Sequence, residues 1–479
     1  MGRFDWRTIA VVVVVAVAVL VGMIVVSDDS ESKKPHPAPT AHPHPTPSRL
    51  QFAVWGNKDE VSAFQAVVND YNASSKDTSV SVVSWPDTQA MLADIRSGKA
   101  KPDLYLLPRS ELAETVAEKR NHPLLDLLSE REVPIGDDFS RDAVSAFSFE
   151  DDLQCMPYTT SPMVIYYNKA LVDFDKMKAR DLPTPNPDHS GWSLDEFRAA
   201  AQFASRPRKK IRGVHIDPTL EGLAPFIQSG GGRLYDDDTT PTSLALSSDD
   251  STGAIRRTLE LLRDPRLTLS TRQLKQRSPL AWFRRGKLGM IAGYRDLTPV
   301  LRATPGLSFD VMPMPSLGNA ATVGELTGVC LAANRSSRVN SSANFLTYLV
   351  SEEAVARVAQ TGYIQPTNLQ VALSPAFLQG TLAPENAAVF NNAVRAIRLP
   401  PLMADGAQLE QLVDPDLQAL LTTPDVGDLD ETLAAIDEKS RLLLDPDYEP
   451  SESPSGSPSG APSGAASGSP SEPASADRD

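Results

Sequence analysis

The 479-residue chain carries 46 Lys and Arg against 61 Asp and Glu, a formal charge of −15. That balance argues against a nucleic-acid binder, because a phosphate backbone needs a basic face. A hydrophobic content of 41% supports real cores, and the length predicts about two to three domains.

Arg3 and Arg7 precede an unbroken apolar run from Ile9 to Val26. At ~1.5 Å per residue the run spans roughly 27 Å, close to the ~30 Å hydrocarbon core. A cleaved signal has an apolar stretch of about 7–15 residues and a small-residue cleavage site. "MIVVSDDS" offers no such site, so 9–26 is read as an uncleaved transmembrane anchor rather than a signal. The two arginines place 1–8 in the cytoplasm. The expected localisation is a single-pass cell-membrane protein with its globular part extracytoplasmic. No cysteine precedes Cys155, so a lipidated cysteine is not the anchor.

Residues 27–48 form a linker in which "KKPHPAPTAHPHPTPS" alternates prolines, giving a stiff, hydrated spacer. It holds His36, His42 and His44, read as part of the spacer rather than as metal ligands. From Arg49 the chain alternates. "LQFAVWG" reads as a strand and "EVSAFQAVVNDYN" as a helix. "SVSVVSW" and "PDLYLLP" are further strands, followed by "DTQAMLADIRSG" and "SELAETVAEK" as helices. This β-α alternation predicts a parallel, helix-covered sheet. The style then repeats. "MVIYYNKALV" runs from strand to helix, and Ser193 with Glu196 three residues on forms a capping box for "SLDEFRAAAQFA". "TGAIRRTLELLRD" is a helix, Leu288–Ala292 and "LTGVCLAAN" are strands, and two helices follow. Residues 384–446 read as mostly helical, and 447–479 as a disordered Ser/Pro/Gly tail.

Catalytic signatures are missing. There is no G-x-x-x-x-G-K-[ST], no H-E-x-x-H and no G-x-S-x-G, and His122, His189 and His215 are too scattered for a zinc set. The reading is therefore not an enzyme, with no cofactor and no metal. "SGGGRLYDDD" reads as a solvated turn, since it lacks the lysine of a phosphate loop and the distal Glu of a calcium loop. Cys155 and Cys330 are the only cysteines; they make either one bridge or two buried thiols.

Taken in order, "YYNKAL", "AWFRRGKLGMIAGYRDL", "FDVMPMP" and "FLTYLVSEEAVARVAQTGYIQP" resemble the family 1 extracellular solute-binding proteins of ABC importers, the maltose-binding-protein-like group. The resemblance covers nearly all of Arg49–Pro446. It implies an α/β periplasmic-binding-protein fold of two lobes with two hinge crossings, near Met156–Ser161 and Val323–Leu326. Lobe one would be 49–157 plus 326–368, and lobe two 158–325 plus 369–446. A solute would sit beyond the carboxyl ends of the strands. On these grounds the expected ligand-binding residues are Trp55, Asn57, Trp85, Asp87, Arg109, Ser110, Tyr158, Thr159, Ser161, Gly293, Tyr294, Arg295 and Glu325. The rest of the stretch is structural, with Gly286 turning the chain and Gly293 letting the backbone pass close to the cleft. Tyr166, Tyr167 and Trp282 are structural too. Aromatic faces stack on sugar rings while Asn, Asp, Arg and Glu bond hydroxyls, so the implied solute is a sugar, an oligosaccharide or a sugar acid. The acid enters because members often carry a Trp where this chain has Arg295. The implied partner is an ABC permease in the membrane. A non-transporting sensor or scaffold of the same fold is the alternative, and a cell-surface glycoside hydrolase a third reading. The resemblance also brings Cys155 and Cys330 onto neighbouring strands and so implies a Cys155–Cys330 disulfide.

Overall fold

Three apolar runs build the first sheet of this computed structural model. It describes residues 47–423 and 426–449, apart from the side chains of 334–336. The expected anchor at 9–26 lies outside the described residues, as do nearly all of the linker and the tail. Among the described residues no helix is long and apolar enough to cross a membrane.

The strands β1 (Ser48–Trp55), β2 (Thr78–Trp85) and β3 (Leu104–Pro108) run parallel in the order β2-β1-β3. The helices Lys58–Ser74, Thr88–Arg96 and Leu112–Ala117 follow them. Leu104 to Leu107 are all buried, as a strand covered on both faces must be. Two short pairings follow, β4 (Asn121–His122) and the hairpin of β5 (Ser148–Phe149) with β6 (Asp152–Leu153).

The chain then leaves through β7 (Met156–Pro162) into β8 (Val164–Asn168). The second sheet has the order β11-β8-β10-β9, with β9 (Arg212–His215), β10 (Leu288–Gly293) and β11 (Phe309–Pro313). Strand β8 is antiparallel to both neighbours. The return strand β12 (Gly324–Ala332) is antiparallel to β3 and to β7. Both sheets are therefore mixed, not parallel throughout as the alternation predicts. The reason is connectivity. Strands β8 and β12 arrive by crossing between lobes, so no helical crossover fixes their direction.

Burial follows the strand period. In β8, Val164 and Tyr166 enter one core while Ile165 and Tyr167 enter the core on the opposite face. Helix Leu194–Ala204 opens with the predicted capping box, Ser193 accepting from the Glu196 amide. Gly286 has φ +63°, a left-handed turn that favours glycine. Tyr166, Tyr167 and Trp282 are all buried, as read from the sequence.

The two connecting strands leave side by side. Ser161 pairs with Glu325 and Pro162 with Gly324. A third segment lies along β7, where the Thr160 amide donates to the Gln365 carbonyl at 2.9 Å and the Thr367 amide to the Tyr158 carbonyl at 3.1 Å. Cys155 and Cys330, both wholly buried, are joined in a disulfide with Cα atoms 4.3 Å apart.

Candidate functional site

The carboxyl ends of β1 and β2 place two indoles together. Trp55 and Trp85 are in register across the parallel pair, and both are only partly covered. The Trp85 Nε1–H donates to Asp94 at 3.0 Å, which fixes that ring. After the turn at Gly56, Asn57 caps helix Lys58–Ser74. Its Oδ1 accepts from the Asp59 and Glu60 amides, and its Nδ2 donates to Glu60 at 2.6 Å. Asp87 likewise caps its helix by accepting from the Ala90 amide at 2.8 Å. Asn57 and Asp87 thus each cap a helix through an Oδ1, and both stay exposed at the strand ends. Asn57→Ala is expected to cost about 1 kcal/mol of stability, read as a lowered denaturant midpoint.

Arg109 donates to the Pro400 carbonyl at 2.9 Å, and loss of solvation lowers its pKa to about 10. Ser110 is exposed in the short turn that follows. Tyr158 is 1% exposed and packs on Phe64 with ring centres 5.8 Å apart, so it belongs to the core of lobe one and not to a solute surface. Thr159 is half-buried opposite Thr327.

The stretch after β10 departs most from expectation. A Cβ at Gly293 would lie 2.3 Å from Leu297 Cδ1, so a larger residue would push that side chain aside. Arg295 is wholly buried. Its Nε donates to the Gly362 carbonyl at 3.1 Å and its Nη2 to the Phe377 carbonyl at 3.0 Å. The guanidinium lies 4.5 Å from the Phe377 ring centre and 5.0 Å from that of Phe390. Ser161 accepts from the Arg295 backbone amide at 2.9 Å. In this structure Arg295 ties the chain after β10 to the Gly362 and Phe377 carbonyls and is turned away from solvent. The argument for a sugar acid rested on it and falls with it.

The neighbours of Arg295, Tyr294 and Asp296, lie nearer the surface. Tyr294 donates its hydroxyl to Glu221, and burial, then Glu221 and Glu325, raise its pKa above the ordinary phenol range. Glu325 is exposed by surface area, though crowded by surrounding protein. That crowding, with Asp296 and Glu221 nearby, pushes its pKa up to about 8. Desolvation also raises Asp296, Glu221 and Glu60, and Glu60 of lobe one further feels Asp296 of lobe two. Desolvation, then Glu221 and Asp414, raise Glu410 to about 7. Glu60, Glu221, Asp296, Glu325 and Glu410 are thus all shifted in the same direction, upward.

Of the expected residues, the structure brings Ser161, Gly293, Tyr294 and Glu325 together, and Trp55 with Trp85. The sequence reading missed Glu60, Glu221, Asp296 and Glu410. Two of these carried a signal: Glu60 stands at capping-box spacing from Asn57, and Asp296 directly follows Arg295.

A carboxyl whose folded pKa lies above its unfolded value binds more protons in the folded state. Its stabilising contribution is full below about pH 4 and is lost as pH rises through the folded value, about 8 for Glu325. Stability is expected to fall between about pH 5 and pH 8. Glu325→Gln should flatten that fall, and superimposable pH profiles from chemical denaturation would refute the placement of this carboxyl.

Comparison with known proteins fits this geometry. Residues 66–385 match the family described as bacterial extracellular solute-binding protein. No curated protein sequence matches the chain. Among solved structures, an ABC substrate-binding protein from Listeria monocytogenes in complex with cycloalternan is 16% identical, with a TM-score of 0.70, over 83% of this chain and 99% of its own. The GacH receptor of Streptomyces glaucescens, solved unliganded and with acarbose, is 19% identical, with a TM-score of 0.66, over 84% and 100%. The sugar-binding protein MalE from Xanthomonas citri is 15% identical, with a TM-score of 0.68, over 83% and 97%. At these identities the likeness is one of fold, and the two-lobed α/β architecture is shared.

Proposed function

The chain belongs to the bacterial extracellular solute-binding protein family, and on that premise we propose that it captures a carbohydrate-like solute between its lobes and delivers it to an ABC permease. Membership makes it a binding protein, not an enzyme, with its globular part extracytoplasmic. The observation that carries the reading is a set of half-open aromatic rings at strand ends of both sheets: Trp55 and Trp85 in register at the ends of β1 and β2, and Tyr294 just past β10, donating to Glu221. Rings offer faces to pyranose C–H groups and carboxylates accept from hydroxyls. The cycloalternan and acarbose in the relatives' structures support the same solute class.

In this reading lobe one is 49–157 plus 326–368, and lobe two is 158–325 plus 369–446. Support comes from the cores. One core joins Leu50–Tyr158 to Leu326–Ile364, while another joins Met163–Val323 to Leu409–Ile436. Val371 packs with the first core, so the third connection runs slightly past the proposed boundary. Ile9–Val26 anchors the protein to the membrane, and the Pro/His spacer holds the lobes off the surface.

The test is a thermal-shift screen of the full-length chain in detergent against neutral oligosaccharides, amino sugars, sugar acids and polyamines. A true solute at 100 times its Kd adds about 2.7 kcal/mol and raises Tm. A screen in which nothing raises Tm would end the solute-binding reading.

A further inference from the structure

The acidic chain carries one face of the opposite sign. Residues 205–212 and 265–287 hold twelve of the 46 Lys and Arg and none of the 61 Asp and Glu. The fold joins the two stretches. The backbones of Arg206 and Ile211 bond each other at 3.1 and 3.2 Å, closing a tight loop around the turn Pro207–Lys209. The Arg212 amide then donates to the Lys287 carbonyl at 3.0 Å, and the Gly213 amide to the Leu267 carbonyl at 2.7 Å. Both stretches thereby meet at the amino ends of the parallel strands β9 and β10. Tyr294 follows the carboxyl end of β10, so the basic face and the candidate site lie at opposite ends of the second sheet.

Charge of one sign gathered on a face repels itself unless something answers it. Of the twelve cations only Arg266 forms an ion pair among the described residues, with Asp264 at 2.7 Å. Arg208, Lys209, Lys210 and Arg285 are exposed. Arg212 is half-buried, and its Nε and Nη1 are covered yet meet no acceptor among the described residues. Covered donors are rarely left without an acceptor, and an anion from outside the chain supplies one. Long cationic side chains on two surface turns fit an extended anionic surface better than a single small anion.

We propose that this face docks on the phosphate headgroups of an anionic lipid bilayer. Lys and Arg near such a surface are drawn to it, and the attraction falls off within a Debye length. The apolar run Ile9–Val26, read above as the membrane anchor, keeps the bilayer close. The proline spacer 27–48, extended at ~3.1 Å per residue, gives a reach of roughly 70 Å. Docking holds lobe two by the end away from Tyr294 and leaves the strand ends of the candidate site open. It is independent of which solute the protein takes.

Full-length protein is reconstituted into vesicles of phosphatidylcholine, with or without about 30% phosphatidylglycerol. A membrane-impermeant reagent acylates the lysines, and mass spectrometry reads the rate at each. With phosphatidylglycerol, Lys209, Lys210 and Lys287 are expected to react at least about threefold more slowly, while Lys76 and Lys119 of lobe one keep their rates. Salt at about 500 mM should abolish the difference, as screening shortens. Arg208→Glu/Arg285→Glu leaves the reporting lysines in place and should abolish it too; both positions are exposed, so the variant keeps its fold. Equal rates in the two kinds of vesicle overturn the docking, as does equal slowing at Lys76 and Lys119. Protection by soluble polyphosphate at matched phosphate, with none from the vesicles, overturns the lipid assignment and gives the face to an anionic polymer.

Discussion

Arg295→Ala is expected to destabilise the protein by about 3–5 kcal/mol, lowering the denaturant midpoint at unchanged m-value. Two effects add. The substitution empties a fully buried site between Phe377 and Phe390, and such cavities cost about 24 cal/mol per Å³. It also removes the donors held by the Gly362 and Phe377 carbonyls, each about 1–3 kcal/mol if left unmet. A third effect opposes them. A buried guanidinium without a carboxylate partner is costly, and burial lowers its pKa to about 10. Because Ala fills none of the space, the first two win. Arg295→Met keeps the volume and removes the charge, so it should lose less than Ala. Arg295→Lys lacks the planar fork that reaches both carbonyls and should recover little. An alanine variant within about 0.5 kcal/mol of the parent would show that the side chain is not buried as described.

Loss of the Cys155–Cys330 bond is the second large effect. The cysteines are 175 residues apart, and closing a loop of that size removes denatured-state entropy worth about 5 kcal/mol. Structure remaining in the reduced, unfolded chain cuts into that figure, so about 2–5 kcal/mol is expected for Cys155→Ala/Cys330→Ala. Both sulfurs are buried, so reductant should act slowly on the folded protein and quickly once it opens. Denaturation with and without reductant measures the effect directly. Two thiols labelled by an alkylating agent in unreduced, unfolded protein would refute the bond.

The first sheet was legible because β1 and β3 are apolar runs whose direction is set by the helices between them. The helix caps were partly legible, since Ser193–Glu196 was read and Asn57–Glu60 was not, although both have the same spacing. The direction of β12 was not legible, because it depends on a crossing between lobes. The cleft was misread by a single position. Past Gly293, Tyr294 meets Glu221, Arg295 enters the core and Asp296 reopens to solvent. Which residue turned inward was decided by Phe377 and Phe390, on short helices far along the chain that carry no pattern pointing back to Arg295. The one cation in the stretch was thereby assigned to the solute, and the acids that replace it were overlooked.

The disulfide sits at the root of the paired strands that join the lobes. Cys155 immediately precedes Met156, and Cys330 immediately follows Val329, the residue paired with Met156. Beyond that tie the two strands stay paired as far as Pro162 and Gly324, with Tyr158 and Leu326 still packed in the core of lobe one. The covalent link therefore acts as a fulcrum. It pins the ribbon's origin to lobe one, whose core holds the ribbon as far as Tyr158 and Leu326, so that bending is left to the stretch from Thr159 to Pro162 and its partner strand. Reduction would then alter the arc through which the lobes swing as well as the temperature at which they melt.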